Sequence, residues 1–201
     1  MPLVVTLGHN NNLSNDSVLE WSMGAFTVAF FGHKHIEDPH ELEKCLDDHI
    51  LWLLTKKEFV KFLVGRDGDF DQLAATAVRR MRNQYRADNS ALALMIPDLT
   101  PDYIDNVDSA ENCYTEIEVC IPATMVRPKY MIQTRNQEMI EKSDLILCYI
   151  THESPVAWKT VQHAILQGKM VINLAEAGAS TVLKEQYKDI LNAKKPLKIE
   201  S

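Results

Sequence analysis

No two cysteines in this chain stand in a C-x-x-C spacing. The thiols of Cys45, Cys113, Cys120 and Cys148 are scattered, and Cys45 and Cys148 sit inside apolar patterns. That argues against a sequence-local zinc clamp and for buried free thiols rather than disulfides, hence for a cytoplasmic protein. Long apolar runs are also missing. Nothing approaches a membrane span, and residues 1–25 lack the charged-then-apolar layout of a signal peptide, so no membrane is expected. Positive charge is scarce: 21 lysines and arginines face 28 acidic residues, for a net charge of -7. Affinity for a phosphate backbone rests on cations, so nucleic acid is not expected as a partner, although a local basic pocket is allowed. Glycine is sparse, and its seven occurrences form no G-x-G-x-x-G, so the standard dinucleotide fingerprint is absent.

What is present is an alternation of apolar runs and helical periods. The 201 residues suffice for one domain with a proper core. Residues 1–25 read as an N-terminal arm, with Leu3 to Leu7 as a short strand, and residues 26–201 as the domain. Strands are expected at Phe26–Phe31, Phe59–Val64, Ala91–Ile96, Glu116–Ile121, Asp144–Ile150 and Lys169–Leu174. Helices are expected over 39–56, 69–85, 128–142, 154–167 and 180–193, with a polar excursion over 98–115. The strands are continuous apolar runs rather than alternating ones, which is the pattern of strands buried on both faces. The fold class is therefore α/β: a single Rossmann-like domain with an open, mostly parallel sheet and helices on both faces.

In such a sheet, ligands sit at the carboxyl ends of the strands. The first strand ends at Gly32 and runs into His33-Lys34-His35, where a glycine admits a close backbone approach and basic groups favour an anion. The second ends in Gly65-Arg-Asp-Gly68-Asp-Phe-Asp71. A later turn, Thr151-His-Glu-Ser154, leads into a helix. Asp69 and Ser154 each suit a helix N-cap, the commoner role for both residue types in such a turn, with a ligand contact as the other reading. Asp71 either complements a helix dipole or reaches a ribose. His33 and His35, with His40, lack the context of a catalytic zinc site, so no metal is expected. Arg135 and Asn136 lie mid-helix between apolar Ile132 and Met139, where the arginine either stays solvated or turns into the crevice to bind phosphate. Glu138 and Asp144 are carboxylates in reach of acid chemistry, Asp144 also reading as a cap at a strand entrance.

The run FTVAFFGHKHIED, then KFLVGRDGDFDQLAATAVRR, then TRNQEMIEKSDLILCYI, then the serine-led helix and GKMVINLA, resembles the SLOG superfamily over residues 26–175. The closest branch is the bacterial proteins grouped as YpsA-like and DUF1273-like. The resemblance implies a Rossmann-like fold with a nucleotide or nucleotide-derived ligand in the crevice. Related branches include phosphoribohydrolases, DNA-processing proteins of the DprA type and sensor domains. The phosphoribohydrolases carry a P-G-G-x-G-T turn and a following glutamate. This chain has Ser154-Pro-Val-Ala-Trp-Lys-Thr160 there, and no glutamate from Pro155 to Gly168.

The expected function is thus a nucleotide-binding, sensor-type domain that holds phosphate at its strand-end turns and requires no cofactor. Its ligand contacts would come from Gly32, His33, Lys34, Gly65, Gly68, Asp71, Arg135, Asn136 and Ser154. The alternatives are a nucleoside or nucleotide N-glycosidase or transferase with Asp71 or Glu138 as the assisting carboxylate, and an interaction module with a vestigial pocket. The expected partner is a small nucleotide or derivative, and a homo-oligomer is allowed.

Overall fold

A computed structural model describes the backbone of residues 3–6 and residues 24–99, 113–154 and 156–176. The order of elements is β1 (Leu3–Thr6), β2 (Phe26–Gly32), α1 (His40–Lys56), β3 (Val60–Val64), α2 (Asp69–Gln84), β4 (Ser90–Ile96), β5 (Glu116–Val119), α3 (Ile121–Thr124), α4 (Pro128–Lys142), β6 (Leu145–Tyr149), α5 (Ala157–Leu166) and β7 (Met170–Asn173). The expected helix over 180–193 and most of the 98–115 excursion lie outside the described residues.

The strands form one seven-stranded sheet in the order β1-β5-β4-β3-β2-β6-β7. All pairings from β5 to β7 are parallel, and β1 joins antiparallel at the edge of β5. The chain winds outward from β2 to β5, then returns to the other side of β2 with β6 and β7. Between β2 and β6 the winding reverses, and Gly32 and Tyr149 stand level in register there. Such a reversal leaves a crevice at the carboxyl ends of the two strands.

Each apolar strand serves two cores. Val28 and Phe30 of β2 face a cluster with Leu46, Ile50 and Leu53 of α1 and Phe70, Ala74 and Val78 of α2. The alternate residues Ala29 and Phe31 face a second cluster with Met139 and Ile140 of α4 and Val161 and Ala164 of α5. Helices α1 and α2 therefore cover one face, and α4 and α5 the other. That is why these strands carry no polar alternation.

Helix α5 starts at Ala157, three residues later than the serine-led start read from the sequence. The Ser154 hydroxyl still accepts the Trp158 amide hydrogen at 3.2 Å. At the other end of the sheet, Asp144 accepts the Thr27 amide hydrogen at 2.9 Å and its own amide donates to the Thr27 carbonyl at 2.8 Å. Asp144 fastens the start of β6 to β2, far from the crevice.

Candidate functional site

A cavity of about 500 Å³ fills the crevice. Gly32, His33 and Lys34 line it from the end of β2, and Gly65, Asp67, Gly68 and Asp71 from the β3–α2 turn. Ile132, Arg135, Asn136 and Met139 of α4 form the opposite wall, and Ser154, Val156, Ala157 and Thr160 close it beside α5. Every ligand-contact candidate named from the sequence borders this one space. Glu138 does not: its carboxylate pairs with Lys142 at 3.3 Å, in a chain of charges that continues from Lys142 to Glu118 at 3.0 Å and from Lys61 to Glu118 and Glu116 at 2.6 Å each.

The glycines have steric reasons to be there. A Cβ on Gly32 would lie 2.4 Å from Cγ of the buried Phe70. The absence of a side chain thus admits an aromatic ring of α2, a packing reason for the glycine beside the close ligand approach expected from the sequence. A Cβ on Gly65 would lie 2.7 Å from Oδ2 of Asp71 and 3.2 Å from both terminal nitrogens of Arg135. Gly65 leaves the room in which that carboxylate and that guanidinium meet.

Arg135 is turned inward, at 4% exposure. It donates to Asp67 Oδ2 at 2.8 Å and, from Nε and Nη2, to Asn136 Oδ1 at 3.2 and 2.9 Å. Asn136 then donates to Thr160 Oγ1 at 3.3 Å, which links α4 to α5. Asp71 accepts the Asp67 amide hydrogen at 3.0 Å. Burial pushes the Asp71 carboxyl up to about 6, against the opposing pull of the Arg135 charge. Asp69, read from the sequence as a cap of its own helix, instead accepts the Ile36 amide hydrogen at 3.0 Å, while its own amide donates to the Lys34 carbonyl at 2.9 Å. The two loops at the mouth are thereby tied together.

His33 is buried, and its Nε2 accepts the Thr151 amide hydrogen at 2.9 Å. That bond requires the neutral ring protonated at Nδ1. Burial, and then the neighbouring His152, hold the His33 pKa below its ordinary value, consistent with the neutral form. The two imidazoles stack with centroids 4.0 Å apart and planes 8° from parallel, and His152 is exposed. Sequence reasoning missed His152. Its place in the turn after a buried strand was a signal, but only the fold puts it over His33. Asn173 of β7 steadies the same turn: its side chain accepts from the Ile150 amide and donates to the Ile150 carbonyl, both at 3.0 Å. Among the described residues, no group of three or more His, Cys, Asp or Glu is placed to hold a metal ion, and no helix is long and apolar enough to cross a membrane.

No protein-family model matches the chain, and no curated protein matches it. Solved structures do. DNA processing protein A (DprA) from Streptococcus pneumoniae superposes with a TM-score of 0.55 at 13% identity, over 83% of this chain and 58% of that one. The chain thus spans little more than half the length of the pneumococcal structure. DprA from Helicobacter pylori, reported for its single-stranded DNA binding mode, superposes with a TM-score of 0.55 at 14% identity over 95% of both chains. At these identities the likeness is one of fold, and the fold is the Rossmann-like one that the SLOG resemblance implied.

The neighbours correct two expectations. The sequence pointed to a small-nucleotide sensor, with a glycosidase or an interaction module as alternatives, and it set nucleic acid aside as a partner. The structural neighbours are DNA-processing proteins, one of them described by its binding of single-stranded DNA. The net charge of -7 misled because it sums the whole surface. A single strand is held by a local groove and by stacking on flat side chains, and neither is visible in a total.

Proposed function

We propose that the chain binds single-stranded nucleic acid across the crevice at the carboxyl edge of its sheet. The observation that carries this reading is the shared fold, over 95% of both chains, with a protein described by its single-stranded DNA binding. The chemistry of the crevice supports it. Single strands are held by flat surfaces on which bases stack and by cations that follow the backbone. The stacked His33–His152 pair, with its exposed outer member, offers such a surface, and the exposed Lys34 stands beside it. Gly32, Gly65 and Gly68 act as walls, while Arg135, Asn136 and Ser154 offer polar contacts. Asp71 serves here as a hydrogen-bonding group rather than a catalyst, and no cofactor is required. Within the SLOG-type fold, the quoted motifs favour the YpsA-like and DUF1273-like branch. The buried free thiols of Cys45, Cys120 and Cys148 favour a reducing, cytoplasmic setting.

Fluorescence anisotropy with a short labelled oligothymidylate tests this reading. Saturable binding that weakens as salt rises, resists competition by duplex and drops in Lys34→Ala is expected. Absence of saturable binding to any single-stranded DNA or RNA at low salt overturns it.

A further inference from the structure

A second cavity, of about 340 Å³, lies between α4 and α5 and shares Asn136, Val156 and Thr160 with the first. Its own lining includes Gln133 and Gln137 of α4 and Lys159 and His163 of α5. The two spaces differ in charge. The first carries the carboxylates of Asp67 and Asp71, and its buried cation, Arg135, already donates to Asp67. A phosphodiester placed there would meet two acidic groups and an arginine whose charge is already engaged, with only the exposed Lys34 at the mouth to set against them. The second has no carboxylate among its lining residues. Lys159 is exposed, and among the described residues no carboxylate pairs with it. The side-chain amides of Gln133 and Gln137 add neutral donors, which suit phosphate oxygens.

The apolar walls run the other way. Ile132, Met139, Val156 and Ala157 border the first cavity, together with the hydrogen-bonding groups of Asp71 and Asn136. Apolar walls with a few convergent polar groups suit a flat, uncharged heterocycle. We propose that the α4–α5 groove is the track for the phosphate backbone, with Lys159 and His163 as its contacts, and that the neighbouring cavity takes a base from the same strand. The Asn136–Thr160 hydrogen bond is the partition between the two. This rests on the single-strand reading above and deepens it: it separates where charge is bound from where a base is bound, and it moves the phosphate away from the glycine turns.

The test is oligothymidylate binding by the full chain as a function of salt, for the wild type, for Lys159→Ala with His163→Gln, and for Lys44→Ala on α1 as a control. Lys159 and His163 lie on the groove side of α5, so the double variant is expected to fold, which circular dichroism checks. Each phosphate that the variant no longer neutralises should flatten the slope of log affinity against log salt by about 0.7. The double variant is expected to show that flattening and several-fold weaker binding. The same weakening should appear on a strand with abasic sites, because it concerns the backbone. Wild-type affinity and slope in the folded double variant would overturn the track while leaving the single-strand reading intact. Weakening confined to strands that keep their bases would overturn it too. Absence of binding by the wild type would remove both.

Discussion

Gly32 and Phe70 share one place: the position a Cβ would take on the glycine is 2.4 Å from Cγ of the ring, and the ring is 1% exposed. The ring also stacks on Tyr149, with centroids 6.2 Å apart, so it cannot step aside freely. Gly32→Ala should cost about 1–3 kcal/mol, as overpacking of a tight core does. Pairing it with Phe70→Ala, which removes the Cγ that the new methyl would meet, should cost less than the two single changes together, because they act on one shared space. Urea denaturation of the four proteins measures the coupling. Simple additivity would mean that the ring is not what Gly32 accommodates.

The raised Asp71 carboxyl makes stability depend on pH. Its pKa rises from 3.8 to about 6 on folding, so the fold favours the protonated form. That contribution is complete below the unfolded value and disappears as pH rises through about 6. Roughly two units correspond to at most about 3 kcal/mol. Asp71→Asn, a neutral isostere, should flatten this part of the stability profile and match or exceed the wild type at pH 7. Chemical denaturation across the acid range checks it. An unchanged profile would place the titration elsewhere.

Glu118 is 3% exposed and takes charge from both Lys61 and Lys142. Burial alone would raise its pKa, but the two lysines outweigh burial and hold it below the ordinary value. Its ionised form therefore stabilises the fold above the usual carboxylate range, and the effect is lost as pH falls through the lowered value. Glu118→Ala leaves Lys61 partly buried with one partner fewer and should cost about 3–5 kcal/mol, the range for breaking a buried pair. A loss below about 1 kcal/mol, the scale of a surface pair, would mean that solvent compensates for the missing charge.

Asp67 is the most expendable carboxylate of the site, since its side chain is 47% exposed while Arg135 is held on it. Asp67→Asn removes a negative charge from the mouth and releases the guanidinium. Affinity for an oligonucleotide should rise several-fold, since one like charge no longer faces the strand. Anisotropy titrations decide the point, and weaker binding would mean that Asp67 itself touches the strand.

The elements were legible because their signals are local. The β2 run from Phe26 to Gly32 and the α4 period from Pro128 to Lys142 need only pattern and length to be read. The convergence of Gly32, Gly65 and Ser154 was legible too, because parallel strands deliver their turns to one edge. What stayed hidden depends on distance in space. Whether Arg135 faced solvent or crevice was decided by Asp67, 68 positions away in the chain. The role of Gly32 was decided by a ring on α2, and Glu138 was claimed by Lys142 on its own helix rather than by the cavity. The partner class was misread for a different reason, since a sum of charges carries no information about where they stand.

The bonds that join Lys34 and Ile36 to Asp69 have a mechanical consequence. Asp69 is the first residue of α2, so the loop after β2 and the amino end of that helix form one rigid lip. A strand that pushes on Lys34 pushes on a rod of sixteen residues, whose far end donates from Arg82 to Ser90 at the start of β4. Occupancy of the crevice would then be felt at the opposite edge of the sheet without any change in strand pairing.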